Sequence, residues 1–379
     1  MKKFVRAKAG AAIHFWKRYE HHLGVGALAV GFIFDLFLAK KPDSVIDNIL
    51  LCSYLFIAGA IIILLNIRAR RRADSAEPLL MLLMLQFCFG GLASNLLVLY
   101  GKSGTLTVSV IFLGLLACLV LGNEYLRSRY AQLRFNIAVY YFLLLTYCII
   151  AVPTFIFHSI GMLVFLASEG LSLVAITLFL AILYFAVLRR KKKSSPDALV
   201  GAPTKASGLK EISLIVAGIL IVFNGLYFLN IIPPVPLSLK NIGAYHSILK
   251  LSSGDYLGLY QPAPWYVFWR DTSATFNYTP GESAYCFSSV YAPADLTTPI
   301  YHQWEHYNTA TKMWDTVSLI SFPITGGRAS GYRGFTETAA LSPGQWRCDV
   351  ETSSGALIGR IEFTAIETQS APALSTATL

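Results

Sequence analysis

The sequence predicts a membrane α-helical bundle of seven transmembrane helices followed by a C-terminal all-β, antiparallel sandwich. Three observations carry this. Of 379 residues, 55% are hydrophobic and only 14% charged, against about 25% charged in an ordinary soluble domain. Before residue 232 the apolar residues fall in long uninterrupted runs, and after residue 240 they alternate in short ones. The net charge of +10 is concentrated in the segments between the long runs. An ordinary soluble enzyme is excluded by the first two observations. The third argues against a nucleic-acid partner, because the basic residues serve topology.

Seven runs satisfy the requirement of roughly 18 or more apolar residues for a membrane-spanning helix. They are residues 23 to 39, 46 to 66, 78 to 100, 104 to 122, 135 to 157, 159 to 188 and 212 to 232, and none contains Lys or Arg. Together they make a transmembrane domain over residues 23–232. The sixth run has 30 residues, too few for two crossings at about 20 residues each. Residues 1–22 carry a basic start but lack the apolar core of a cleavable signal peptide. They read as a cytoplasmic amphipathic segment with Phe4, Ile13, Phe15 and Trp16 available to the membrane surface.

Orientation follows from loop charge, since cytoplasmic loops retain Lys and Arg. With the N-terminus inside, the four inside segments hold six, four, three and seven Lys/Arg, twenty in all. The outside loops hold three: Lys40, Lys41 and Lys102. This places the N-terminus in the cytoplasm and everything after Ile232 outside it, in contact with the lipid bilayer through the spans. The basic loop 189–211 is expected to be mobile, with docking of anionic lipid as its functional alternative. Pro233, Pro234 and Pro236 end the seventh helix, and the small, polar tail 368–379 is expected to be disordered.

Residues 240–367 form the anticipated exported domain, with eight Lys/Arg and eleven Asp/Glu after residue 232. Strands are expected at Ala284 to Tyr291, Ile300 to Tyr307, Thr316 to Phe322 and Tyr332 to Thr338. The clearest unit is a β-hairpin. Trp346, Cys348 and Val350 point one way, and after a turn at Ser353 to Gly355 the residues Leu357, Gly359, Ile361 and Phe363 line the buried face. Cys286 and Cys348 stand on two strands with Trp304 between them in sequence, the order found across the two sheets of immunoglobulin-like sandwiches. An exported compartment permits a disulfide; the alternative is two buried thiols that never meet. The other four cysteines fall one to a span, as small apolar fillers.

The segment containing His302, Trp304, Gly327, Arg328, Gly331, Tyr332, Arg333, Pro343, Gly344, Trp346 and Gly359 resembles the core of domain of unknown function 2914. That domain is found at the C-terminus of bacterial inner-membrane proteins. The resemblance covers roughly the last third of the chain and implies a multi-pass inner-membrane protein with a periplasmic β domain. It implies no activity.

The candidate chemistry is sparse. His302 and His306 share a strand face but stand about 13 Å apart, too far for one metal ion, and HExxH, CxxC and GxSxG motifs are absent from the sequence. No catalytic set, metal site or cofactor is therefore assigned. The loop GGRASGYRG brings Arg328, Tyr332 and Arg333 among four glycines. Guanidinium and backbone N–H groups there could hold a carboxylate or phosphate, with Trp304 as an aromatic neighbour. The structural alternative pairs these arginines with Glu337 or Glu351. Within the spans Asp35, Asp47, Gln86, Asn95 and Glu169 are the polar candidates. The expected role is non-enzymatic recognition or scaffolding in the cell envelope, with a protein or glycan partner. The alternative is a small-solute or ion permease with an accessory periplasmic domain.

Overall fold

The computed structural model describes residues 41–71, 79–125, 132–188, 205–267, 270–339 and 341–379. Segment 1–22, the anticipated span 23–39 with Asp35, and residues 189–204 of the basic loop lie outside the described residues.

Among the described residues six helices come first: α1 Val45–Arg71, α2 Leu79–Ser103, α3 Leu106–Tyr125, α4 Leu133–Val152, α5 Met162–Leu183 and α6 Lys205–Phe228. Five of them contain stretches long and apolar enough to cross a membrane: Val45–Arg68, Leu80–Ser103, Leu133–Phe157, Met162–Ala186 and Lys210–Phe228. The apolar stretch of α3, Val108–Asn123, is shorter. The 30-residue run is a single helix, α5, continued by a π-helical turn Tyr184–Leu188. A second π-helical turn, Pro153–Phe157, extends α4. Pro153 has no N–H to continue the α ladder, and Thr154 caps the Ile150 carbonyl with its hydroxyl at 2.6 Å. The basic loop ends earlier than the sequence suggested. Lys205 to Glu211 already belong to α6, because Lys, Ala, Leu and Glu in this stretch favour helix.

These helices expose apolar side chains on a scale that water would not tolerate. Ile46 is 80% exposed, Phe56 84%, Leu163 81% and Ile221 72%, and such continuous apolar faces mark contact with lipid or partner. Opposite faces pack. Gly59 lies against the Tyr140 and Phe179 rings, themselves stacked at 4.8 Å, and Gly91 lies against Tyr54. Arg134, at the start of α4, forms an ion pair with Glu211 near the start of α6.

The chain divides into two compact units. Among the described residues, one holds those of 41–99, 113–148 and 169–223; the other holds those of Tyr100–Phe112, Ile149–Ser168 and Asn224–Leu379. Contacts thus group the ends of several helices with the β region, where the sequence had suggested a boundary between residues 232 and 240.

Eleven strands follow: β1 Ser238–Tyr245, β2 Ser247–Lys250, β3 Tyr256–Tyr260, β4 Thr275–Tyr278, β5 Ala284–Tyr291, β6 Thr297–Asn308, β7 Met313–Thr325, β8 Tyr332–Thr338, β9 Gly344–Thr352, β10 Leu357–Glu367 and β11 Ser375–Thr378. They form three sheets, ordered β1-β5-β8, β4-β10-β9-β6-β7 and β11-β3-β2. All pairings are antiparallel except β10 with β4. Side chains of the first two sheets share one interior: Ala284 and Cys286 of β5 meet Trp304 of β6, Trp346 and Cys348 of β9, and Ile361 and Phe363 of β10. The hairpin faces are those the alternation indicated, with Trp346, Cys348, Val350, Ile361 and Phe363 buried.

The tail requires a correction. Instead of disorder over 368–379, Ser375–Thr378 forms β11 and pairs antiparallel with β3, Ser375 opposite Tyr260 and Thr378 opposite Leu257. Its small residues suit a short edge strand whose backbone groups find partners in an existing sheet.

Candidate functional site

The cluster begins with two turns. After β2 the chain reverses through Leu251 to Asp255, where Gly254 at φ +87° allows Gly254 N–H to donate to Leu251 O (3.0 Å) and Leu251 N–H to Asp255 O (2.8 Å). Between β7 and β8, the loop from Gly326 to Gly331 turns with Gly327 at φ +97° and Gly331 at φ +89°. Its glycine N–H groups are used within the fold: Gly326 donates to Leu296 O, Gly327 to Ala292 O and Gly331 to Arg328 O. Ser289 holds the loop by donating to Ser330 O at 2.6 Å. Those three N–H groups are therefore occupied, and the loop offers side chains, rather than a glycine N–H cradle, to any ligand.

These turns enclose a cavity of about 300 Å³ whose lining includes Lys250, Asp255, Tyr256, Arg328, Tyr332 and Arg333. Arg333 donates through Nη1 to Asp255 Oδ1 and to Leu379 O, both at 2.7 Å. Its partner is thus Asp255, not Glu337 or Glu351. The Arg333 hydrogen bond, then that from Ser253, holds the Asp255 carboxyl below its ordinary range. Arg328 is exposed, and among the described residues no carboxylate lies within ion-pair distance of it. Lys250 is also exposed, its ammonium 5.9 Å from the centre of the Tyr256 ring. Three cations thus face one carboxylate, in a region where acidic residues outnumber basic ones eleven to eight. The walls are fixed: Tyr256 packs edge-on to Phe335 at 5.7 Å, and Tyr332 leans on the buried cluster around Val290 and Ile324.

Trp304 does not join this site. It is fully buried, in the shared core, and its Nε1–H donates to Thr336 Oγ1 at 3.0 Å. The reason is its place on the inward face of β6, opposite Cys348. Lys250, Asp255 and Tyr256 were not singled out from the sequence. The turn through Ser252 to Asp255 meets a loop over 70 residues further on only once the fold is made.

Around Trp304 lies a buried polar cluster. Cys286 and Cys348 are joined as a disulfide between β5 and β9. His302, fully buried beside them, has Nδ1 at 3.0 Å from Thr336 Oγ1 and Nε2 at 2.7 Å from Ser288 Oγ. Each hydroxyl can donate or accept, so both ring nitrogens are satisfied in either neutral tautomer. Burial pushes the imidazole down to about 3, so the ring is neutral. The sulfurs and His302 lie within 4.8 Å of one another, a spacing that invites a metal reading. With the sulfurs bonded together and both ring nitrogens engaged by hydroxyls, these residues do not fit a metal ion.

On the opposite face of the five-stranded sheet, Glu305 pairs with Arg347 and Asp349 with Arg360. Glu305 and Asp349 are buried. Burial, then the neighbouring carboxylates of Asp349 and Glu305, push the Glu351 carboxyl up to about 7.

Four of the intramembrane candidates fall within the described residues. Asp47 sits in the first turn of α1, its N–H 3.4 Å from Ser44 Oγ. Gln86 and Asn123 donate side-chain amides to each other's backbone carbonyls at 3.2 and 2.9 Å. Asn95 donates to Gly91 O in its own helix. Glu169 is buried, and its backbone carbonyl accepts from Ser172.

Residues 297–365 match the model of a family described as "Protein of unknown function (DUF2914)". The match spans β6 to most of β10 and includes Arg328, Tyr332 and Arg333. No curated protein matches the chain. Among solved structures, a Listeria innocua β-glucosidase in complex with isofagomine is similar at 10% identity over 35% of this chain, with a TM-score of 0.20. The alignment spans only 16% of that enzyme's length. The Pseudomonas fluorescens alkylpurine DNA glycosylase AlkC, bound to DNA containing an abasic site analog, is similar at 10% identity over 86% of this chain and 99% of that one, with a TM-score of 0.21. Likenesses at these scores carry no argument about fold or function.

Proposed function

We propose that this protein is a multi-pass inner-membrane anchor for an exported β domain that works without catalysis, by recognition or scaffolding in the cell envelope. In this reading residues 23–232 cross the membrane seven times, N-terminus in the cytoplasm, and residues 240–367 form an immunoglobulin-like sandwich in the periplasm. Several observations support it. The 20 residues of α3 rise about 30 Å at 1.5 Å each, the thickness of the hydrocarbon core. The Arg134–Glu211 pair fits α4 and α6 starting on the same side. The disulfide between β5 and β9 suits an oxidising compartment and the sandwich arrangement.

The observation that carries the functional reading is the cavity beneath Arg328. A positive, aromatic-walled recess in an acidic domain is a place to hold an anionic group of a protein or glycan. Crosslinking in intact membranes, followed by purification of the full chain, tests it. Arg328→Ala combined with Lys250→Ala should lose at least nine-tenths of the crosslinked partner while the protein accumulates normally. Undiminished crosslinking would move recognition elsewhere.

A further inference from the structure

We propose that the cavity between the β2–β3 and β7–β8 turns takes a carboxylate-bearing sugar ring, a uronate residue of an envelope polysaccharide. This rests on the recognition reading above and names its ligand class. At about 300 Å³ the recess stands at the small end of ligand pockets, matched to one ring with its substituents. Two tyrosines line it, Tyr256 and Tyr332, each with its ring fixed by packing. A phenol offers an apolar face and a hydroxyl together, which is what a pyranose, with apolar C–H groups and equatorial hydroxyls, requires.

The charges select the acidic sugar. Arg333 is committed to Asp255 and Leu379 O, which leaves Arg328 and Lys250 as the exposed cations lining the cavity. A guanidinium fork donates two parallel N–H bonds to the two oxygens of a carboxylate, and the ammonium adds a second contact. Phosphate is matched less well. Its sites draw on clusters of backbone N–H groups, and here Gly326, Gly327 and Gly331 donate to carbonyls of the fold. An acidic peptide would meet the same cations, but a single recess of about 300 Å³ between two turns suits one ring rather than the run of side chains that an extended peptide presents.

The test uses the full chain in nanodiscs and calorimetric titration with trigalacturonate, triglucuronate, the trigalacturonate methyl ester, galactotriose and a hexaglutamate peptide. At least one of the two uronate trimers should bind, with affinity falling at least tenfold in Arg328→Ala and in Lys250→Gln. The ester and the neutral trimer should fall similarly on the unchanged protein. Both side chains are exposed, and melting temperatures of the variants should match the parent. Arg328→Lys, which keeps the charge but loses the fork, should bind between parent and alanine variant, and it serves if the alanine variant fails to fold. The proposal is overturned if neither uronate binds, if the ester binds as well as the acid, or if binding ignores Arg328. Equal, Arg328-dependent binding of hexaglutamate would also overturn it while leaving anion recognition standing; partner crosslinking that ignores Arg328 would remove both.

Discussion

His302 and Glu351 lie on opposite faces of the same sheet and couple stability to pH in opposite senses. His302 is held neutral, at about 3 in the fold against roughly 6.5 in an unfolded chain. Its contribution is fully present above pH 6.5 and is lost as pH falls toward 3. Glu351 is the reverse case, raised to about 7 from roughly 4.3 unfolded. Its protonated form is the one the fold prefers, so its contribution is full below about pH 4.3 and is lost as pH rises through 7. Glu351→Gln should therefore flatten the part of the stability profile that falls between pH 4.5 and 7.5. The acid limb set by His302 should remain. Chemical denaturation of parent and variant at a series of pH values measures both limbs. A variant that still loses stability as steeply over that interval would show that Glu351 does not set it.

At the scale of single elements, the β7–β8 loop depends on Gly331. Its φ is +89°, and a Cβ there would come 2.5 Å from Ser289 Oγ and 3.0 Å from the Val290 carbonyl carbon. Left-handed backbone costs an L-residue about 1–2 kcal/mol, before any contact is relieved. Gly331→Ala should destabilise the β unit by about 1–3 kcal/mol and disturb Arg328 with it. Gly114→Ala in α3, where a Cβ meets nothing within 4 Å, should be neutral or stabilising by up to about 1 kcal/mol. Thermal melts of both variants give the comparison. The long apolar runs and the strands from β5 to β10 were legible because their periodicity is set by a buried face that one element presents alone. Strands β1 to β4 and β11 were not: each is short or polar, and β4 and β11 find their pairing only against distant strands, β10 and β3. The candidate site was half legible for the same reason. Arg328, Tyr332 and Arg333 share one loop, whereas Lys250, Asp255 and Tyr256 meet them only once the fold is made, and Trp304 turned inward because its alternation belongs to the core.

For the whole molecule, the charge asymmetry along the chain makes a testable statement about sidedness. Ser353, exposed in the β9–β10 turn, and Arg68, exposed in α1, should lie on opposite sides of the membrane. In intact spheroplasts a membrane-impermeant maleimide should label Ser353→Cys at once and Arg68→Cys only after permeabilisation. The reverse pattern would place the β domain in the cytoplasm.

The bond between Cys286 and Cys348 also has a mechanical meaning. It closes a segment of 62 residues that contains all of β6, β7 and β8. An unfolded chain lengthens by at most about 3.6 Å per residue, so roughly 220 Å of potential extension is sealed inside the link. If the β domain carries load between a bilayer anchor and an external polymer, tension from the anchor can peel away β1 to β4. The loop that contains Arg328, Tyr332 and Arg333 cannot be drawn out until the bond is reduced, whereas Lys250 and Tyr256 lie outside the link, so tension from the anchor lets go of the polymer by parting the two turns while half of the site stays folded.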